Sequence, residues 1–301
     1  MFVLLQQVLR YKIYIEPLFN CISIGLDFEI VKINKRHITT ICVLGILLLT
    51  VFVLTSLMRD KVEYVDEQGN PLTACTRAFV GGDSIILQGD TYVVSENITC
   101  NGTITILGDV TLIIEDGCTL TVNAPHGDGI KAYDDNWNNY KITVYGQEKQ
   151  TGTININSLD RGIWCRSFTL NGGNLNIQSS DWQSILAADT LLINNGIINA
   201  ESSSTNCSAI RGDKNLTING GQVTTKSKVA GLGSYQGDIM LGYTKSDDFI
   251  DTKGFRTYFG TVRVLEGKDL TDGTNVYSAA DETSTLLKLK DVKLTPASSK
   301  R

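Results

Sequence analysis

Cationic and aromatic side chains recur at one position of a repeated pattern, which makes them candidates for ligand binding. Lys131, Trp164 and Arg211 each directly follow an aliphatic residue. An indole ring can stack on the apolar face of a sugar, and Lys or Arg can bind a carboxylate. We therefore expect a shallow polysaccharide-binding groove, and the alternative is an ordinary solvated surface.

A second group of candidates lies in the segment 133–140, which interrupts the repeat. Tyr133 and Trp137 would extend the aromatic part of the groove. Asp134 and Asp135 are adjacent carboxylates, and carboxylate oxygens are ligands that calcium prefers. The segment predicts a contact with calcium or with sugar hydroxyls, and the alternative is a solvated loop.

Acidic and basic residues that could support catalysis are scattered over neighbouring repeats. An inverting glycoside hydrolase needs two carboxyl groups about 6.5–9.5 Å apart, and a lyase needs a basic group beside a calcium site. The residues that could serve are Arg161, Arg166, Arg211, Asp160, Asp181 and Asp213. Such charges on a repeat surface usually keep a protein soluble, so we expect no enzymatic activity.

A repeated phrase predicts the elements that carry these residues. Phe168-Thr-Leu-Asn-Gly-Gly, Leu191-Leu-Ile-Asn-Asn-Gly and Leu216-Thr-Ile-Asn-Gly-Gly start 23 and 25 residues apart. Alternating apolar positions indicate strands, and a period of this length is typical of a solenoid. We expect an all-β, parallel β-helix with three short strands in each coil of 22–25 residues. The usual crossover rule predicts a right-handed coil.

Two columns of residues should follow from stacking like on like. The aliphatic residues Ile163, Ile185 and Ile210 should lie above one another in the core. Small residues precede the aliphatic position in each coil and are expected to form a flat outward strip; they are Gly129, Gly162, Ser184, Ala209 and Gly231. Asparagines in the Asn-Gly turns, Asn171, Asn194 and Asn219, should form a hydrogen-bonded ladder in the left-handed conformation that Asn tolerates.

The chain divides into five predicted segments. Residues 38–58 carry no charge and are long enough to span a membrane, as a signal anchor or, alternatively, a cleaved signal peptide. Residues 1–37 would then be cytoplasmic, with a translation start near Val31 as a further hypothesis. Residues 59–82 are a linker and entry strand, 83–235 the β-helix, and 236–301 a C-terminal cap and tail. The basic residues before the span place the β-helix outside the cell membrane, or secreted if the signal is cleaved.

Charge and cysteine content exclude several classes of partner. From Asp60 onward 21 Lys and Arg oppose 29 Asp and Glu, so nucleic acid is not an expected partner. The chain has two His and no Cys-x-x-Cys pair, which argues against a zinc site. Most cysteines are expected to be small buried residues, and Cys100 with Cys118 is the best candidate for a disulfide.

Several stretches resemble a known family. Asp109-Val-Thr-Leu-Ile-Ile-Glu-Asp-Gly-Cys, Ile142-Thr-Val-Tyr-Gly-Gln and the Asn-Gly-Gly turns resemble secreted β-helix repeat domains of bacterial cell surfaces. Asp128-Gly-Ile-Lys-Ala is similar to the repeated Asp-Gly-Ile of the bacterial carbohydrate-binding β-helix family. That family is built like pectate lyases and binds acidic glycans with calcium. The resemblance covers about residues 80–235 and implies that Asp128 is a calcium ligand.

We therefore expect a non-catalytic, cell-surface protein that binds carbohydrate or acts in adhesion. Its partners would be a polysaccharide or surface glycan and, through residues 38–58, a membrane. Calcium is the candidate cofactor. The alternatives are a structural surface spacer, and a polysaccharide lyase or glycoside hydrolase with a pectate-lyase-like fold.

Overall fold

The computed structural model describes residues 60–133, 138–281 and 283–297. Residues 59–301 form one compact unit. Its described residues are almost entirely in β-structure, with one short helix, α1 (Thr283–Leu287). The predicted membrane segment 38–58 and the cytoplasmic segment 1–37 lie outside the described residues. Within the described part, no helix has both the length and the apolar character needed to cross a bilayer.

Most strands lie in three parallel stacks, which we call faces 1, 2 and 3. Face 1 contains β2 (Pro71–Ala78), β4 (Thr91–Val94), β7 (Val110–Ile114), β10 (Lys141–Gly146), β13 (Ser167–Leu170), β16 (Thr190–Ile193), β19 (Asn215–Ile218), β22 (Ile239–Leu241) and β24 (Val262–Val264). Face 2 contains β5 (Ile98–Cys100), β8 (Thr119–Ala124), β11 (Thr153–Ser158), β14 (Asn174–Ser179), β17 (Ile197–Ser202), β20 (Gln222–Ser227) and the start of β23 (Phe249–Thr257). Face 3 contains β3 (Ile85–Gln88), β6 (Ile104–Leu107), β9 (Ile130–Lys131), β12 (Ile163–Cys165), β15 (Ile185–Ala187), β18 (Ile210–Gly212), β21 (Leu232–Ser234) and the end of β23.

The register of face 3 confirms that the coils stack like on like. Ile163 pairs with Ile185, and Ile185 pairs with Ile210. All three side chains are at most 1% exposed. A coil of this size cannot bury its apolar side alone, so the aliphatic columns along the solenoid hold neighbouring coils together. The parallel β-solenoid predicted from the repeat is therefore confirmed, and its right-handedness stays a prediction.

The parallel stacking extends beyond the predicted limits of 83–235 at both ends. It begins at β2, where Arg77 pairs with Tyr92, and it continues to β24, where Val262 pairs with Ile239. β23 supplies a rung to face 2 and a rung to face 3 in one strand of nine residues. Part of the segment expected to form the cap therefore continues the solenoid.

Antiparallel elements cover the two ends. At the C-terminal end, β27 (Lys290–Pro296) pairs with β23 and with β25 (Leu270–Thr271), and β25 also pairs with β26 (Val276–Tyr277). Leu286 of α1 is fully buried there. At the other end, β1 (Asp60–Val65) pairs with β2 and places Val62 against the outer surface of face 1. These elements protect edges that would otherwise pair with another chain.

The predicted asparagine ladder is present, but its backbone conformation differs from the prediction. Asn194 Nδ2 donates to Asn171 Oδ1, and Asn219 Nδ2 donates to Asn194 Oδ1, both at 2.8 Å. The left-handed conformation belongs to the glycines two residues further on, with φ of 81°, 100° and 92° at Gly173, Gly196 and Gly221. Glycine has no Cβ and adopts this conformation at lower cost than Asn, so the left-handed assignment for the asparagines was wrong.

The suggested disulfide between Cys100 and Cys118 is also wrong, because both thiols are free. Cys100 pairs with Val122, four residues along β8 from Cys118. Four residues of strand span about 13 Å, whereas the Cα atoms of a disulfide lie within about 7 Å of each other. The expectation that most cysteines are buried holds for Cys100, Cys165 and Cys207.

Candidate functional site

The outward residues of face 3 form one column along the solenoid. Consecutive pairing in register brings Lys131, Trp164 and Arg211, the three candidates from the repeat, onto this column. Its members in order are Lys131, Trp164, Leu186, Arg211, Gly233 and Arg256. The residues on either side of these positions point into the core, so the column is the outer surface of the face.

The small residues expected to flank this column on the surface are instead buried. Ser184 and Ala209 have no exposed surface, and Gly129, Gly162 and Gly231 are buried as well. A Cβ on Gly162 would lie 2.1 Å from Cγ2 of Ile177, a core residue of face 2. The prediction of a flat outward strip was therefore wrong. These residues are small because the corner between faces 2 and 3 has no room for a larger side chain.

Trp164 lies inside a stack of side chains. The ring of Tyr133 stacks on it with centroids 4.3 Å apart and planes at 27°, and the guanidinium carbon of Arg161 lies 4.4 Å from the Trp164 centroid. Tyr133 is only 8% exposed, and burial raises its pKa. Since both groups pack on the indole, Trp164 is only partly exposed and supports its neighbours.

Trp182 provides an exposed ring beside this stack. It lies in the turn after β14 and is 45% exposed, and the guanidinium carbon of Arg161 is 5.0 Å from its centroid. Its carbonyl accepts hydrogen bonds from the hydroxyls of Ser179 and Ser202 at 2.9 and 2.6 Å, which fix the turn. In the sequence, Trp182 stands among Ser and Asp residues and does not belong to the alternating apolar pattern of a strand, and this could have indicated an exposed ring.

A second cluster of arginines and aromatic rings lies toward the C-terminal end of face 3. The guanidinium carbon of Arg211 is 5.3 Å from the Tyr235 centroid, and that of Arg256 is 4.8 Å from the Tyr258 centroid. The two tyrosine rings are 5.2 Å apart. They are 38% and 51% exposed, and Phe259 beside Tyr235 is 75% exposed. Such cation–π contacts hold the guanidinium groups in place while leaving their edges free to donate.

Gly233 lies between the two arginines of this cluster and is itself buried, and a small depression of about 10 Å³ lies beside it. The depression is lined in part by Arg211, Gly233, Arg256 and Tyr258. Arg211 Nε donates to Asp213, and an Nη of Arg256 donates to the carbonyl oxygen of Asn206 at 3.1 Å. The arginine backbones are two rungs, or about 9.6 Å, apart. Two ordered guanidinium groups flanking a gap can bind carboxylate groups, and the adjacent rings can contact sugar C–H groups.

Asp128, the candidate calcium ligand, is engaged with Arg161. Its Oδ1 accepts from the Arg161 backbone N–H at 2.9 Å and lies 3.7 Å from an Arg161 Nη. Burial raises the pKa of Asp128, and the contacts with Arg161 partly oppose this effect. In the described ranges, no three His, Cys, Asp or Glu side chains group together as a metal site would require.

Three candidate residues of the insertion cannot be placed. Asp134, Asp135 and Trp137 lie outside the described residues. The assignment of calcium to Asp134 and Asp135, and of sugar contact to Trp137, therefore stays a prediction.

Four of the six residues considered for catalysis, namely Arg161, Arg166, Arg211 and Asp213, form ion pairs. Arg166 lies 3.8 Å from Asp189, and Arg211 pairs with Asp213. Each of these arginines has an acidic partner on its own or the adjacent coil. The arrangement resembles ion pairs that order a surface more than a base beside several metal-binding carboxylates.

Comparison with known proteins gives one match. A family model described as "Carbohydrate-binding domain-containing protein" matches residues 72–246, which is more than half of the chain. The matched range starts in β2 and ends after β22, so it covers most of the parallel coils and includes Lys131, Trp164, Arg211 and Gly233. No curated protein and no solved structure gave a match.

Proposed function

Because the chain belongs to the family of carbohydrate-binding domain-containing proteins, we propose that it binds an acidic polysaccharide along face 3 and does not cleave it. The observation that carries this proposal is the pair of ordered arginines, Arg211 and Arg256, on either side of Gly233. Arg211 is ion-paired with Asp213, whereas Arg256 donates to a backbone carbonyl, so the positive charge that favours a ligand carboxylate comes mainly from Arg256.

The ligand would run along the solenoid axis, because the groups that can contact it repeat in that direction. The exposed rings of Tyr235 and Tyr258 would contact the C–H faces of sugar units, and the arginines would bind their carboxylates. Toward the N-terminal end, Lys131 and the exposed Trp182 would contact further units of the same chain. Tyr133 and Trp164 would support this end of the site as its inner layer.

Two further parts of the proposal concern catalysis and location. The pairing of Arg166 with Asp189 and of Arg211 with Asp213 supports a non-catalytic role. The predicted signal anchor at 38–58 supports a cell-surface location, with the solenoid outside the cell. Adhesion to a surface glycan would follow from these two properties together.

A binding titration with the full-length chain tests the proposal. We expect saturable binding of polygalacturonate, and Arg211→Ala with Arg256→Ala should weaken it at least tenfold, since hydrogen bonds to charged groups contribute about 1.5–3 kcal/mol each. Arg263→Ala, an exposed arginine on face 1, is the matched control and should leave the affinity unchanged.

Three results would contradict the proposal. A glycan array without any acidic ligand would favour the surface-spacer alternative. Unsaturated or shortened products from polygalacturonate would favour a lyase or hydrolase. A third result would be binding that is lost when calcium is chelated but is unchanged by the arginine substitutions. The binding site would then be at Asp128, Asp134 and Asp135 instead.

A further inference from the structure

Face 2 carries a column of uncharged carboxamides on four successive coils. Its members are Asn101, Asn123, Asn157 and Gln178; Asn157 pairs in register with both Asn123 and Gln178. The column continues with Glu201 and Lys226, so its charge begins only on the fifth coil. This surface differs from face 3, whose outward column contains one lysine, one tryptophan and two arginines.

The amides of this column keep hydrogen-bonding capacity for a ligand. Asn123 Nδ2 donates to Asn101 Oδ1 at 3.3 Å, and Asn157 Nδ2 donates to Asn123 Oδ1 at 3.4 Å. These bonds are longer than the 2.9 Å bonds of the neighbouring ladder through Asn155, Asn176 and Asn199. A carboxamide has two N–H donors and two lone pairs, so each link leaves a donor and an acceptor available. Such a pair suits neighbouring hydroxyl groups of a sugar.

A groove of about 420 Å³ lies at the edge of this column. Asn123, Asn157 and Ser180 provide polar groups along it, and Pro125 and Leu159 provide apolar surface. Leu159 is 39% exposed, which leaves its side chain available to a ligand. Apolar walls combined with a few convergent polar groups are typical of small-ligand sites.

The charges around the groove select the class of ligand. No lining residue is charged, so a carboxylate would lose its hydration without gaining a cation. An uncharged sugar needs neither a cation nor a metal, because its hydroxyls meet the amides and its C–H groups meet Pro125 and Leu159.

We propose that this groove is a second carbohydrate site, for an uncharged hexose polymer, independent of the acidic-polysaccharide site on face 3. The two sites lie on different faces of one solenoid. The protein would therefore contact two chemically different polysaccharides at once, and link them.

Calorimetric titration of the full-length chain with cellohexaose, maltohexaose and mannohexaose tests this proposal. We expect saturable binding of at least one of them, undisturbed by saturating polygalacturonate. Asn157→Leu keeps the size of the side chain and removes its amide, and should weaken binding about threefold to tenfold. Leu159→Ala, at an exposed position with little influence on folding, should also weaken it.

Two controls separate this site from others. Asn199→Leu lies on the same face but outside the groove, and Arg211→Ala with Arg256→Ala lies on face 3; neither should change binding of the uncharged probe. The proposal is overturned if no uncharged probe binds, or if either control weakens binding as much as Asn157→Leu and Leu159→Ala do. Loss of polygalacturonate binding alone would contradict the face 3 site and leave this one standing.

Discussion

Faces 2 and 3 are made by the same stacked chain, yet their outer surfaces follow different rules. On face 2 one outward column repeats in kind, because Asn155, Asn176 and Asn199 form a ladder whose amides bond to one another at 2.9 Å. On face 3 the outward residue changes from lysine to tryptophan, leucine, arginine and glycine along one column.

This difference separates what the fold requires from what it leaves free. The closely bonded amides of the Asn155, Asn176 and Asn199 ladder satisfy one another and stabilise the stack, so their presence is explained by structure alone. The Arg211–Tyr235 and Arg256–Tyr258 contacts are not needed to keep the coils in register. Outward residues that do not belong to a closely bonded ladder are therefore better indicators of function than those that do.

The largest expected effect concerns the interior, where the two faces should be equivalent. Ile177→Ala on face 2 and Ile210→Ala on face 3 should each lower the free energy of unfolding by about 2–5 kcal/mol, because both side chains are at most 1% exposed. Chemical denaturation measures this. A large loss on one face with almost none on the other would show that the core is not shared equally.

The next effect should distinguish the outer surfaces. Asn176→Ala removes the ladder bonds to Asn155 and Asn199 and should cost about 1 kcal/mol of stability. Tyr258→Ala on face 3 should change stability by less than about 0.5 kcal/mol and weaken polysaccharide binding instead. If Tyr258→Ala destabilised the fold as much as Asn176→Ala, the contrast between the faces would fail.

The smallest effect is the pH dependence of Asp128, at the corner that joins the two faces. Burial raises its folded-state pKa above the unfolded value, so stability falls as pH rises from the unfolded to the folded pKa. Asp128→Asn removes this penalty while an oxygen remains for the Arg161 N–H. We expect the variant to gain stability relative to the wild type between acidic and neutral pH, measured by thermal unfolding across that range. A difference that does not vary with pH, or that changes in the opposite direction, would contradict this account.

The core columns could be predicted because packing imposes them. Ile163, Ile185 and Ile210 recur at coil length, and only like-on-like stacking buries all of them. The small residues Gly162 and Ser184 were misplaced because strict alternation applies within a strand and fails at a corner, where adjacent residues both turn inward. The extension past residue 235 was missed because β23 crosses a corner without an Asn-Gly turn to mark it.

The candidate site could be predicted only in part. The column position of Lys131, Trp164 and Arg211 followed from the repeat, and the structure places them there. The packing of Tyr133 on Trp164 could not be predicted from the repeat, because Tyr133 lies in the segment 133–140 that interrupts it. Trp182, Tyr235 and Tyr258 lie in turns. The alternation of inward and outward side chains applies only within strands, so the sequence does not predict which arginine each of these rings contacts.

Because the solenoid is built from stacked coils, each coil adds a fixed length along its axis. Trp164 and Arg256 are four rungs apart on face 3, and each rung adds about 4.8 Å. Duplication or loss of one coil would change that span by a whole step and leave every local contact intact. The length of polymer that the protein can contact can thus change in fixed increments during evolution, one coil at a time.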